Sequence, residues 1–325
     1  MARALLAGDR RAMARAITLV ESTRAADQVA AEALLAGVLS RTGRAIRIGI
    51  SGAPGVGKST FIEAFGQHLT KSGRRVAVFA IDPSSRRSGG SILGDKTRME
   101  KLARDANAFI RPSPAGTTLG GVARRTRESM LIAEAAGFDV VLVETVGVGQ
   151  SETAVADMTD LFVLLASPGG GDDLQGIKRG VMELADILIV TKSDGDFLPA
   201  ARRAAANYEM AFHLMRPKHL GLAPKVLSVS SLDGTGVANA WHEMTAIHAR
   251  LTADNRLARL RAEQARRWFW GEVQTVLNET ILTNAQLAGE ATALESAVVN
   301  GVATPYGAAR NLLASILPLE PPADA

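Results

Sequence analysis

Gly52-Ala-Pro-Gly-Val-Gly-Lys-Ser59 fits the pattern G-x-x-x-x-G-K-[ST]. The apolar run Ile46–Ile50 leads into it and a helix-like segment, Thr60–Lys71, follows, which is the strand–loop–helix setting the pattern needs. Glycines let the backbone curl so that its N–H groups point inward at phosphate oxygens, and the N-terminus of the next helix adds partial positive charge. An accidental glycine-rich turn would not put strand, loop and helix in one register. Gly52, Ala53, Pro54, Gly55, Val56, Gly57, Lys58, Ser59 and Thr60 are therefore assigned to a phosphate cradle. In it Lys58 would bridge the β- and γ-phosphates and the Ser59 hydroxyl would ligate Mg2+.

The alternation continues on both sides of this loop. Apolar runs at Val76–Ile81, Phe109–Arg111, Val140–Val143, Leu161–Leu165, Ile187–Val190 and Val226–Val229 are separated by helix-length segments. Strands this apolar predict a mostly parallel sheet covered on both faces, a doubly wound α/β fold. Residues 1–44 are rich in Ala, Leu and Arg. Met13, Ile17 and Val20 share one helical face, and Leu35, Val38 and Leu39 another. These predict two helices in a hairpin, closed at Thr42-Gly43. After Gly236 the chain turns helical again as far as Leu317, with a frayed tail over Pro318–Ala325. The expected domains are a helical extension (1–44), a phosphate-loop domain (45–236) and a C-terminal helical region (237–325).

Composition narrows the class. A hydrophobic fraction of 47% in 325 residues is enough for a substantial core, and charged residues at 22% argue against long disorder. The net charge of +4 with only 4% aromatics lacks the dense basic and aromatic stripe of a nucleic-acid binder. There is no cysteine, so disulfides, thiolate metal sites and a catalytic thiol are excluded. The five histidines show no metal-ligand spacing. Asp9, Arg10 and Arg11 interrupt the N-terminal apolar run, and no run approaches the ~18 residues of a membrane span. The expectation is a soluble, cytoplasmic protein with no nucleic-acid or membrane partner.

Further segments complete a nucleotide site. Val140–Val143 ends in Glu144, a strand-terminal acid suited to the magnesium shell. The loop Thr145-Val-Gly-Val-Gly-Gln-Ser-Glu152 follows. In it Gly147 or Gly149 could give a backbone N–H to a γ-phosphate, and Gln150 is either a water-positioning group or a solvated loop residue. Asp82, which ends another strand, and Asp95 are candidate Mg2+ or water-orienting acids, with helix-capping and turn roles as the alternative. Thr191-Lys-Ser-Asp194, directly after a strand, matches the N-K-x-D pattern except at Thr191. Asp194 would accept from guanine N1 and N2, a donor pair adenine lacks, and the Lys192 stem would pack on the base. Thr191 in place of Asn is expected to weaken a brace to the phosphate loop. Ser230, Ser231 and Leu232 are similar to the S-A-x segment whose backbone contacts guanine O6. A site built on specific donors discriminates strongly, so GTP and GDP are preferred to adenine nucleotides.

Together these segments resemble the GTPase chaperones of methylmalonyl-CoA mutase and its relatives, also known as MeaB/ArgK-type proteins or LAO/AO transport ATPases. The matching stretches are Ser51–Ser59, Asp82–Ser85, Gly94–Met99, Arg111–Pro114, Leu119–Arg125, Glu144–Glu152 and Gly171–Lys178. Thr304-Pro-Tyr-Gly-Ala-Ala309 is similar to a family D-P-Y-x-A-A segment, with Thr304 for Asp. The resemblance implies that Asp82, Asp95 and Glu144 share the Mg2+ site with Ser59. It implies a switch at Gly169–Arg179 in which Lys178 responds to a partner. It also implies a homodimer, formed through a C-terminal helical arm, that gates cofactor loading and protects or reactivates an adenosylcobalamin-dependent acyl-CoA mutase. Three other classes fit less well. A metallochaperone GTPase needs Cys or His clusters, and a phosphate-loop kinase usually needs adenine selectivity, against Lys192 and Asp194. A purely structural dimer would not need Lys58, Ser59 and Glu144.

Overall fold

The computed structural model describes residues 1–81, 99–112, 119–145, 151–168 and 179–316. Among them seven strands form one sheet: β1 Ile46–Gly52, β2 Val76–Ile81, β3 Ala108–Arg111, β4 Val140–Thr145, β5 Leu161–Ala166, β6 Ile187–Val190 and β7 Lys225–Ser228. Each coincides with a predicted apolar run. The order is β3-β2-β4-β1-β5-β6-β7 and every pairing is parallel. β2, β4 and β5 are buried at all positions, which is why they read as continuous apolar runs rather than alternating ones. β1 lies between β4 and β5, with Ile50 opposite Glu144 and Gly52 opposite Leu165. The chain passes from one half of the sheet to the other between β4 and β5. Ligands of open α/β sheets collect at such a switch point, beyond the carboxyl ends of the strands.

Helices cover the sheet. The N-terminal segment holds three helices where the sequence predicted two: α1 Ala2–Leu6, α2 Arg10–Val20 and α3 Ala25–Val38. Asp9 makes the difference. Its carboxylate accepts the Arg11 and Ala12 N–H groups at 2.7 and 2.8 Å, an N-cap that starts a new helix. α4 Lys58–Lys71 buries Phe61, Ile62, Phe65 and Leu69 against the sheet, with Phe61 and Phe65 stacked at 5.4 Å and Trp241 edge-on to Phe65 at 6.0 Å. The remaining helices are α5 Glu100–Arg104, α6 Leu119–Ala135, α7 Ser151–Ala156, α8 Arg179–Met182, α9 Leu198–His213, α10 Val237–Ala253, α11 Arg256–Thr283, α12 Ala285–Val299 and α13 Pro305–Ala314. None among the described residues is long and apolar enough to cross a membrane.

The chain divides into two compact units at Arg261, some way beyond Gly236, where the expected boundary lay. α10 explains the difference. Val237, Ala240, Met244, Ile247 and Leu251 recur on one helical face and join the core of the sheet. At the amino edge of the sheet Arg261 closes the first unit. Its guanidinium donates to both carboxylate oxygens of Asp160 (2.8 and 2.7 Å), to Ala45 O (2.8 Å) and to Gly43 O. Asp160 has no exposed surface and also accepts the Arg47 N–H at 2.8 Å. Next to it, Arg47 pairs with the buried Glu134 at 2.6 Å.

The second unit, Ala262–Ala325, is helical over its described residues. Asn284 caps α12 by accepting from Gln286 and Leu287 N–H. Thr304 caps α13 by accepting from Gly307 N–H at 3.2 Å, so the change from the family's Asp keeps an N-cap acceptor. Leu287 and Ala308 are buried, while Phe269, Trp270, Val276, Leu282, Val299 and Tyr306 are all more than half exposed.

Candidate nucleotide site

β1 leaves the sheet at Gly52, where an added Cβ would stand 2.6 Å from Leu165 O. Backbone cannot yield that space, so the turn requires glycine. Gly55 and Gly57 hold φ of +79° and +99°, conformations that glycine adopts without steric cost. Lys58 is the first residue of α4, and its ammonium donates to Gly52 O at 2.7 Å and Ala53 O at 3.1 Å. Burial pushes the Lys58 pKa below its ordinary value, and the Glu144 and Glu152 charges act the other way.

Ser59 donates to Glu144 Oε1 at 3.4 Å, a long contact between two oxygen ligands of the kind Mg2+ takes. The ends of β1 and β4 are tied by Ser51 Oγ and Thr145 Oγ1, 2.7 Å apart. Glu152, in the first turn of α7, is 6% exposed and acts electrostatically on Lys58. Glu152 is not among the site residues expected from the sequence. Its only signal there is its place at the end of the Glu144–Glu152 string. Its position arises because α7 packs hard on β1: a Cβ at Gly49 would meet Val155 at 2.7 Å.

The base-side loop leaves β6. Thr191, 2% exposed, donates from Oγ1 to Val56 O at 2.6 Å, with Ala166 O at 3.1 Å, so a link to the phosphate loop is present despite the missing Asn. Lys192 sits at φ +52°, which costs a non-glycine residue about 1–3 kcal/mol, and its ammonium donates to Gly55 O at 3.0 Å. The Oδ2 of Asp194 is buried and has no hydrogen-bond partner among the described residues. Such an oxygen is costly unless a ligand donates to it. Ser230 uses its N–H on Thr235 O (3.0 Å) and accepts at Oγ from Asp233 N–H (3.4 Å), so its polar groups hold the turn. Ser231 and Leu232 line an open cavity of about 470 Å³ that runs from Thr60 along α4 past Gln67 and Lys71.

Lys58, Glu144, Ser59 and Glu152 thus gather on the phosphate side, and Thr191, Lys192 and Asp194 on the base side. Asp82, Asp95, Gly147, Gln150 and residues 169–178 lie outside the described residues. Among the described residues no three acids or histidines cluster as a metal cage. Mg2+ does not require one, because it usually takes one or two carboxylates with substrate phosphates and water. Ser59 and Glu144 fit that partial set.

A family model described as methylmalonyl Co-A mutase-associated GTPase MeaB matches residues 13–286. The chain belongs to this family. Other members are similar along most of its length. A putative GTPase of Caulobacter vibrioides is 55% identical over 96% of this chain and 95% of its own. The mouse protein named methylmalonic aciduria type A homolog, mitochondrial, is 47% identical over 95% of this chain and 77% of its own. A crystal structure named LAO/AO transport system kinase has the same fold, with a TM-score of 0.76, 38% identity and coverage of 97% of this chain and 96% of that one. The phosphate-loop GTPase fold of the MeaB family is therefore that of this protein.

Proposed function

We propose that this MeaB-family protein binds GTP and GDP with Mg2+, hydrolyses GTP to GDP and phosphate, and acts as chaperone to an adenosylcobalamin-dependent acyl-CoA mutase. The observation that carries the nucleotide reading is the buried Asp194 Oδ2, which has no hydrogen-bond partner among the described residues and lies in the loop after β6 that Thr191 and Lys192 tie to the phosphate loop. Asp194 accepts the guanine N1 and N2 hydrogens, and the N–H groups of Gly55–Ser59 hold the β- and γ-phosphates. An ammonium has three donors. Lys58 uses two on the loop carbonyls and gives the third to a phosphate oxygen. Ser59 and Glu144, with Asp82 and Asp95 as the resemblance implies, hold the Mg2+, whose charge neutralises the phosphate oxygens. Gln150 is the candidate for orienting water.

The family's own description links it to methylmalonyl-CoA mutase. The exposed apolar residues of the C-terminal unit favour a homodimer formed there. Cytoplasmic residence stays part of the proposal. The deciding experiment measures phosphate release from GTP and ATP, with and without a purified adenosylcobalamin-dependent acyl-CoA mutase. GTP-selective turnover that rises with the mutase is expected. A preference for ATP overturns the base-site reading, and GTP turnover indifferent to every such mutase overturns the chaperone reading.

A further inference from the structure

A second recess opens at the amino end of the sheet, away from the candidate nucleotide site. Its volume is about 250 Å³, and it is lined by Leu6 of α1, by Arg41 and Arg44 between α3 and β1, and by Glu134, Phe138 and Asp139 where α6 gives way to β4. That space would hold about eight waters, so a ligand there is small. The charges around it do not balance. The Glu134 carboxylate is spent: it pairs with Arg47 at 2.6 Å and accepts the Gly43 N–H. Asp139 accepts the Arg75 N–H at 2.8 Å. The Arg75 guanidinium lies 4.5 Å over the Phe138 ring and donates to Ala136 O at 2.7 Å. Asp160, the next acid at this end of the sheet, is matched by Arg261. The guanidinia of Arg41, Arg44, Arg47 and Arg75 thus stand around the carboxylates of Glu134 and Asp139 alone. Arg41 and Arg44 are exposed and have no ion pair among the described residues. A lone solvated arginine needs no partner, but these two bring their planar forks to one recess with an excess of positive charge behind them.

We propose that this recess binds a small dianion, a phosphate monoester or a dicarboxylate, through Arg41 and Arg44. Each class carries two negative charges on oxygens that a guanidinium grips with paired N–H donors. Leu6, 38% exposed, covers the carbon chain of the ligand. The lining comes from α1, from the turn before β1 and from the junction of α6 with β4. A bound anion therefore joins the N-terminal helices to the amino end of the sheet and stabilises the folded chain by mass action. The site is independent of the nucleotide reading, because none of its residues belongs to the phosphate loop or to the loops after β4 and β6.

The test is calorimetric titration of the full chain in the presence of GDP and Mg2+, with inorganic phosphate, glycerol phosphate, succinate and acetate as probes. It is run at about pH 8, where phosphate esters carry two charges. Wild type should bind at least one of the three dianions with a Kd of about 1 mM or below, and acetate about tenfold more weakly. Arg41→Gln combined with Arg44→Gln should weaken the dianion about tenfold or more and erase its effect on the thermal midpoint, with GDP affinity unchanged. Leu6→Glu keeps both arginines but sets a carboxylate at the mouth of the recess. It should weaken the dianion comparably, and it serves if the double variant misfolds. An anion lodged in the phosphate loop would be indifferent to both changes. Tighter binding of glycerol phosphate assigns a phosphate ester and tighter binding of succinate a dicarboxylate; either supports the site. No saturable binding of any dianion up to about 10 mM, or equal affinity in wild type and a folded variant, overturns it.

Discussion

Among single residues, the proposed reading gives Lys58 the phosphates and Asp194 the base. Lys58→Ala should abolish tight nucleotide binding, and retained nanomolar affinity would remove the phosphate-loop assignment. Glu152 gives a subtler expectation. Its charge and that of Glu144 offset the burial that lowers the Lys58 pKa. Glu152→Gln removes one of them, so Lys58 loses its proton at a lower pH. GTP affinity measured from pH 7 to 10 should fall off earlier in the variant than in wild type; coincident profiles would sever the two residues. That Lys58 and Ser59 open α4 and that Asp194 follows β6 was legible in the sequence because their motifs encode local geometry. Glu152 was not, since its approach to Lys58 depends on how tightly α7 packs on a glycine of β1. Thr191 was legible only as a departure from Asn. That its short hydroxyl still reaches Val56 O depends on how closely the two loops approach, which no spacing in the sequence records.

For whole elements, the amino edge of the sheet supplies the strongest stability test. Arg261→Ala strips Asp160 of a forked partner and leaves a buried charge undercompensated, a change worth about 3–5 kcal/mol. Chemical denaturation should show it, and a shift below about 1 kcal/mol would mean the Arg47 N–H alone suffices. Arg261→Lys should fall between the two, because an ammonium cannot reproduce the planar fork. His248 on α10 stands 3.7 Å from Asp160. Burial lowers its pKa, Asp160 opposes that and Arg261 adds to it. The folded state therefore resists protonation that the unfolded chain accepts. Stability is full above the ordinary pKa of 6.5 and declines as pH falls from there towards the folded value. Thermal midpoints should drop more steeply between pH 7 and 5 in wild type than in His248→Gln; parallel curves would exclude His248 as the cause. Strand positions were readable because burial on both faces leaves uninterrupted apolar runs. The helix boundary at Asp9 and the allegiance of α10 were not, because a cap and a packing partner are choices made in three dimensions.

At the scale of the whole molecule, the C-terminal unit leaves Phe269, Trp270 and their neighbours in solvent, which a protein of 34.2 kDa would cover by self-association. Sedimentation should give twice that mass, and Phe269→Ser with Trp270→Ser should return it to one chain; a wild type that sediments as a monomer would refute the arm's role. The strand order also bears on how the protein is made. β1 is synthesised early, yet Ile46 pairs with Val140 and Ile48 with Leu161. A chain growing on the ribosome therefore carries its phosphate loop on a strand with neither neighbour until β4 has emerged, and without both until β5 has. Pairings this distant in sequence form slowly. Nucleotide cannot rescue a nascent chain before that point, and arrest at any shorter length should yield a product unable to hold GTP.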